Sequence, residues 1–177
     1  EQLLTMRSGL ANYTTTFALN TALDTQPQRV WDPEELAAMG LAEPPLFPPG
    51  DGWAYSNTNT VLLGLIAEQL EQKPLAEIFQ ERLFTPLGLR ETSYPAADDA
   101  ALPAPFSHGY MYSTNVDTME TSELPPDQLA QAQAGTLLPG DTTELNPSWA
   151  GAAGAGVSTI RDLAHWVEAL GGGGLLS

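Results

Sequence analysis

At 177 residues the chain is long enough for one domain with a real core. It carries 22 acidic against 6 basic residues, a net charge of −16; such a field repels phosphate backbones and anionic lipid heads and argues against nucleic-acid or membrane-surface binding. With no cysteine, disulfides, zinc–thiolate sites and cysteine nucleophiles are ruled out, and no stretch approaches the length of a membrane span.

In chain order, Glu1-Gln2-Leu3-Leu4 opens without an initiator Met, so we expect the interior of a longer protein or a processed form. Leu3 to Arg7 reads as the end of a helix with Gly9 as its left-handed cap. Asp32-Pro33-Glu34-Glu35 predicts a short helix: an acid at the N-cap, Pro at the first helical position and Glu at N3. Trp31 and Leu36 occupy the staple positions around that cap, and Gly40 is expected to end the helix.

A Pro/Gly-rich turn, Phe47 to Gly52, leads through Trp53-Ala54-Tyr55-Ser56 into the strongest predicted helix, Asn57 to Gln72. Its apolar stripe is Val61, Leu62, Leu65, Ile66 and Leu70. Pro74 opens a further helix, Leu75 to Phe84, and Pro86-Leu87-Gly88-Leu89 closes the pair. Between Tyr94 and Gly156 helical periodicity fades. His108 to Tyr112 and Val116 to Met119 suggest a short hairpin around Thr114-Asn115, and Gln128 to Ala134 a turn or two of helix. The last predicted helix runs from Thr159 to Leu170. Ile160, Leu163, Ala164, Val167 and Leu170 are its expected buried face, and Gly171 to Gly174 form a flexible exit. There is no internal repeat.

The chemistry concentrates at Tyr55-Ser56-Asn57. One reading is structural: a buried aromatic with a satisfied hydroxyl, and Ser56 or Asn57 capping the helix. The other is catalytic, a phenol and an amide two residues apart at a rigid corner. A phenol titrates near 10 and serves as a proton carrier at neutral pH only beside positive charge and a nucleophile. The one lysine, Lys73, has Leu70 three residues before it and Pro74 after it. His108 and His165 are the only histidines. His165, beside Trp166 in a helix, reads as a packing or surface residue. A serine–histidine–aspartate triad around Ser107-His108 is no more than chance composition would provide. Asp98-Asp99 and Asp117 lack metal-ligand spacing and read as solvated surface.

The stretch from Pro48 to Pro95 resembles the serine β-lactamase and penicillin-binding family, in its branch of class C β-lactamases, DD-carboxypeptidases and related esterases. Leu3-Leu4-Thr5-Met6-Arg7-Ser8-Gly9-Leu10 is similar to the family's segment after the nucleophile helix. Phe84-Thr85-Pro86-Leu87-Gly88-Leu89 with Thr92-Ser93-Tyr94 resembles its next landmark. Ser148-Trp149-Ala150, Gly154-Ala155-Gly156-Val157-Ser158-Thr159 and Asp162-Leu163 resemble a later one. The resemblance implies that Tyr55 shuttles protons in acylation and deacylation, that Asn57 orients the substrate and the nucleophile's lysine partner, and that Ser56 is structural. It implies that Trp149 walls the substrate pocket, with an ordinary half-buried Trp as the alternative. Trp31 falls on the pocket rim, or serves only as the staple.

The chain departs from the family in lacking Ser-x-x-Lys and any Lys-Thr-Gly or His-x-Gly. By the resemblance, the first belongs before Glu1 and the last after Ser177. The implied fold is mainly α with long loops and a small β-hairpin, the all-helical half of the β-lactamase/DD-peptidase fold, as a single subdomain over residues 1–177. The implied function is part of a serine acyl-enzyme hydrolase acting on a D-Ala-D-Ala-like amide, a β-lactam or an ester. No metal or organic cofactor is implied, an extracytoplasmic location is, and the chain alone is expected to be inactive. The cleft face bearing Tyr55, Trp149 and Trp31 is expected to stand exposed and to promote dimerisation. The alternative is a non-catalytic helical binding or assembly domain on the same scaffold.

Overall fold

In the computed structural model, which describes residues 1–173, a helical layer is built around one apolar cluster. The chain begins in successive turns, not in a helix. Thr5 N–H reaches the Glu1 carbonyl and Arg7 N–H that of Gln2, but Met6 adopts φ 56° and breaks any continuation. Gly9 follows at φ +77°, where a Cβ would sit 1.9 Å from the Phe47 carbonyl oxygen, so the left-handed glycine expected there is required twice over.

Helix α1 (Phe17–Thr25) starts at Thr16, whose hydroxyl accepts the Leu19 N–H. Helix α2 (Pro33–Ala42) starts after Asp32 as predicted, although the Asp32 carboxylate makes no capping bond. Trp31 and Leu36, 2% and 0% exposed, pack on either side of that start. Gly40 does not end α2. It lies inside the helix, where it passes α3 (Asn57–Glu71) so closely that a Cβ would meet Thr58 Oγ1 at 2.2 Å. Gly40→Ala, which in an open helix would stabilise, is therefore expected to destabilise by about 1–3 kcal/mol, read as a lowered urea midpoint; an unchanged or raised midpoint would contradict this packing.

The inward face of α3 is Thr58, Asn59, Val61 and Gly64, while Ile66 and Leu70 are exposed. The predicted apolar stripe is thus rotated: buried hydroxyl and amide groups take the first turn because they hold another chain segment. After α3, left-handed Gln72 turns the chain into α4 (Leu75–Phe79). The helix predicted over Leu75 to Phe84 changes character midway. Gln80–Phe84 widens into π-helical geometry and runs on into α5 (Thr85–Leu87), with Gly88 as left-handed cap at φ 67°.

The predicted hairpin is corrected. Asn115–Thr118 is a helical turn, α6, closed by a capping box between Thr114 and Asp117. The Asp24 carboxylate at the end of α1 accepts the N–H groups of Asn115 and Val116 and the Asn115 side-chain amide. β1 (Tyr110–Met111) pairs instead with the distant β2 (Gly140–Asp141), antiparallel, with Tyr110 opposite Asp141. Between them lies α7 (Pro126–Gln133), the helix expected near Gln128. A local capping box competes with strand pairing at Thr114 to Asp117 and wins.

The final helix, α8 (Ile160–Gly171), is capped by the Thr159 hydroxyl on the Asp162 N–H. Its expected burial is overturned: Ile160, Leu163, Ala164, Val167 and Leu170 are all exposed, Ile160 by 88%. The buried member is Asp162, whose carboxylate accepts the Glu91 N–H and the Thr92 hydroxyl, each at 2.8 Å. Of the predicted glycine exit, Gly174 lies outside the described residues.

The fold is therefore not the all-helical half, with a local hairpin, expected from the sequence. Helix covers 46% of the described residues; extended and looped segments, a long-range two-stranded sheet and an isolated Ser93–Val157 bridge make up the rest of them. The core is Tyr13, Leu19, Ala22, Leu23, Trp31, Leu36, Ala37 and Val61, flanked by Leu62, Leu65, Leu145 and Trp149.

Candidate active site

The Tyr55 corner is built by stitching residues 6–14 to the start of α3. Ala54 N–H bonds the Met6 carbonyl, which lays the approach strand alongside the N-terminal turns. Ser56 is fully buried and its hydroxyl donates to the Ala11 carbonyl at 3.1 Å, so it ties two segments together and caps nothing. Thr58 also donates to Ala11 O, at 2.6 Å, while accepting the Tyr13 N–H at 3.1 Å. Ser8 donates to the buried Asn59 Oδ1 at 2.6 Å. Every polar group buried here has a partner, as buried groups require.

Asn57 is held at three points. Its N–H donates to Asn12 Oδ1 at 3.1 Å, its Nδ2 donates to Thr14 Oγ1 at 3.2 Å, and its Oδ1 accepts the Tyr55 hydroxyl at 2.8 Å. The amide thus sits between two hydroxyls, with its NH₂ toward Thr14 and its carbonyl oxygen toward the phenol. Asn12 Oδ1 accepts the Thr14 N–H as well, so one asparagine sets both ends of this array. Asn12 and Thr14 are the site residues that sequence reasoning missed. Their local signal, an N-cap Asn before a short 3-10 turn (Tyr13–Thr15), carries no hint of a contact 45 positions away.

The four predicted site residues divide into two groups. Tyr55 stands 57% exposed, and Trp53, two positions earlier, 65% exposed. Trp31 and Trp149 lie inward together. Trp31 is a core residue: its backbone N–H bonds Ser148 Oγ at 2.9 Å and Arg29 stacks 3.8 Å from its ring centre. Trp149 is half-buried against the same core, and its carbonyl accepts the Tyr13 hydroxyl at 2.8 Å. Tyr13 is thus the bridge between the groups, its backbone on α3 and its hydroxyl on the Trp149 turn. Burial first, then the neighbouring Tyr94 and Tyr55 phenols, push its pKa up and keep it a donor.

Among the described residues the cations are placed elsewhere. Lys73 pairs with Glu81, Arg82 with Glu71 and Arg29 with Glu35. His108 Nδ1 lies 3.0 Å from Asp141 Oδ2 and 3.1 Å from Thr143 Oγ1. Both contacts fall on one ring nitrogen, whereas a triad needs the carboxylate and the nucleophile on opposite nitrogens. No three His, Asp or Glu side chains gather as a metal site among the described residues.

Of the face predicted to promote dimerisation, Tyr55 is exposed, Trp149 half-buried and Trp31 buried. A second exposed apolar stripe is Ile160, Leu163, Val167 and Leu170 of α8. The isolated chain is expected to self-associate through it, and Leu163→Glu with Val167→Glu to restore the monomer in sedimentation; a wild-type monomer at high concentration would refute this.

This arrangement belongs to a class with known relatives. The family model described as Beta-lactamase matches residues 1–177, and the chain belongs to that family. A D-stereospecific amidohydrolase from Streptomyces sp. superposes with a TM-score of 0.82 at 34% identity, covering 99% of this chain and 47% of its own. D-amino acid amidase from Ochrobactrum anthropi, solved with D-phenylalanine, gives 0.74 at 28% identity, over 99% and 45%. Penicillin-binding protein 4* of Bacillus subtilis is 28% identical over 147 residues, 78% of this chain and 30% of that protein. The chain spans just under half of these solved structures and less than a third of that curated relative. Since the superposition takes in the loops and the small sheet, the matching part of the amidohydrolase fold is mixed and not an all-helical half.

Proposed function

We propose that this chain forms one wall of the active site of a serine acyl-enzyme hydrolase, with Tyr55 as proton carrier and Asn57 as the group that orients it and the substrate. The observation that carries this reading is the Tyr55–Asn57–Thr14 relay, in which the exposed phenol donates to an amide that Thr14 and Asn12 hold in place. A structural tyrosine would bury its ring; this one is exposed and aimed. The nucleophile and the lysine that would acidify the phenol are supplied by chain outside these 177 residues. Trp149 lines the substrate side through the Tyr13-anchored turn. Trp31 supports that wall from inside the core.

The reaction class is acyl transfer to water from an amide, a β-lactam or an ester, with no metal or organic cofactor taking part. The solved amidohydrolase and amidase relatives favour an amide carrying a D-configured residue over the DD-carboxypeptide or β-lactam alternatives. An extracytoplasmic site of action accompanies this reading. The rival is a non-catalytic domain that uses the same scaffold for binding or assembly.

One measurement separates the rivals, and a second tests where the nucleophile lies. The native reading frame should carry Ser-x-x-Lys before the codons for Glu1 and Lys-Thr-Gly or His-x-Gly after Ser177; lack of both would end the hydrolase reading. The isolated chain should take no covalent label from a fluorescent penicillin, since its one lysine is bound to Glu81. Labelling would place the nucleophile within these residues.

A further inference from the structure

The six Lys and Arg side chains of this acidic chain are not treated alike. Arg29, Lys73 and Arg82 pair with carboxylates, and Arg7 donates to the Gly50 carbonyl. Arg90 and Arg161 make no hydrogen bond or ion pair among the described residues, in a chain with 22 carboxylate side chains. Both line the same surface recess of about 560 Å³, together with His165, Leu87, Gly88 and two acids, Glu91 and Asp162.

The recess is held in shape by a buried group. Asp162, 3% exposed, accepts the Glu91 N–H and the Thr92 hydroxyl, which clamps the loop after Gly88 against the first turn of α8. Arg90 comes from that loop. Arg161 and His165 stand four residues apart on α8, and so on one face of it. Arg161 is in the helix's first turn, where the macrodipole disfavours a cation. An anion set between the two guanidinium groups would reverse that penalty and use the helix end as well. Of the two acids in the lining, Asp162 turns its carboxylate into the loop, and the Glu91 carboxylate lies 3.5 Å from the Thr159 hydroxyl, so the two guanidinium groups outweigh one outward carboxylate.

We propose that this recess is an oxyanion-binding site, in which Arg90 and Arg161 grip a carboxylate or phosphate group of a small ligand and His165 forms part of the wall. Guanidinium forks match both groups in geometry, and two of them in one recess offset the repulsion that the chain's net charge would otherwise impose. The site is separate from the Tyr55 corner and does not depend on the hydrolase reading.

The test is calorimetric or NMR titration of the chain with sodium acetate and with inorganic phosphate, at ionic strength held constant with sodium chloride. Saturable binding of either is expected, and the tighter of the two identifies the group recognised. Arg90→Gln and Arg161→Gln should each weaken it by at least about tenfold, while Arg82→Gln, which removes an arginine already paired with Glu71, should leave it unchanged. Because Arg90 and Arg161 are exposed, both variants should keep the wild-type circular dichroism spectrum. A response that does not saturate, or equal weakening by Arg82→Gln, would show only general attraction to basic surface and overturn the site.

Discussion

Replacing Trp31 with alanine is expected to remove about 3–5 kcal/mol of stability, a large part of the total for one domain. Trp31 is among the largest fully buried side chains, and two side-chain interactions meet on it. Its ring packs with Tyr13, Leu19 and Leu36 in the core, and Arg29 covers one face. Alanine would empty a volume that the helices on either side cannot close, because Gly40 already brings α2 as near to α3 as Thr58 allows. For a chain of this length the melting temperature should fall by roughly 10 °C, and Trp31→Phe should fall between the two. If the alanine variant melted within a degree or two of wild type, Trp31 would not be the core element described here. The experiment also bears on the sequence expectation that put Trp31 at a pocket rim: a rim residue would change substrate affinity and leave stability alone.

The second large effect concerns chemistry. In the full-length enzyme, Tyr55→Phe is expected to lower kcat by about 10²–10⁴, the usual worth of a positioned proton carrier. Stability should hardly change, since the ring is more than half exposed and the hydroxyl's bond is to Asn57 at the surface. Thr14→Val tests the positioning. It leaves the phenol and amide in place but frees Asn57 to turn its NH₂ toward Tyr55, and a loss of about tenfold is expected, mainly in kcat. Should Tyr55→Phe retain full activity while Asn57→Ala abolishes it, the amide would be the working group and the phenol only its neighbour.

Much of this site could be read along the chain. Tyr55-Ser56-Asn57 at the mouth of a helix is a local pattern, and the structure does put the phenol and the amide in contact two residues apart. The caps were local too: Pro33 and Thr159 start their helices where the sequence placed them. What went astray depended on distant partners. Gly40 looked like a helix end because glycine usually is one; here it serves a helix crossing. The apolar stripe of α8 looked like a buried face, and periodicity says which residues share a face without saying whether anything covers it. The hairpin around Thr114-Asn115 lost to a capping box that Asp24, 91 positions away, reinforces.

The amino-acid order alone was sufficient for the helix starts, the rigid turn before Tyr55, the absence of a usable lysine and the pairing of a phenol with an amide, because each rests on neighbours a few bonds apart. It could not show that Thr14 and Asn12 aim that amide, that Trp31 belongs to the core, or that Arg90 and Arg161 share a recess. Those depend on side chains separated by tens of residues, and only the packing of α2, α3 and α8 against the loops between them brings such groups within reach of one another.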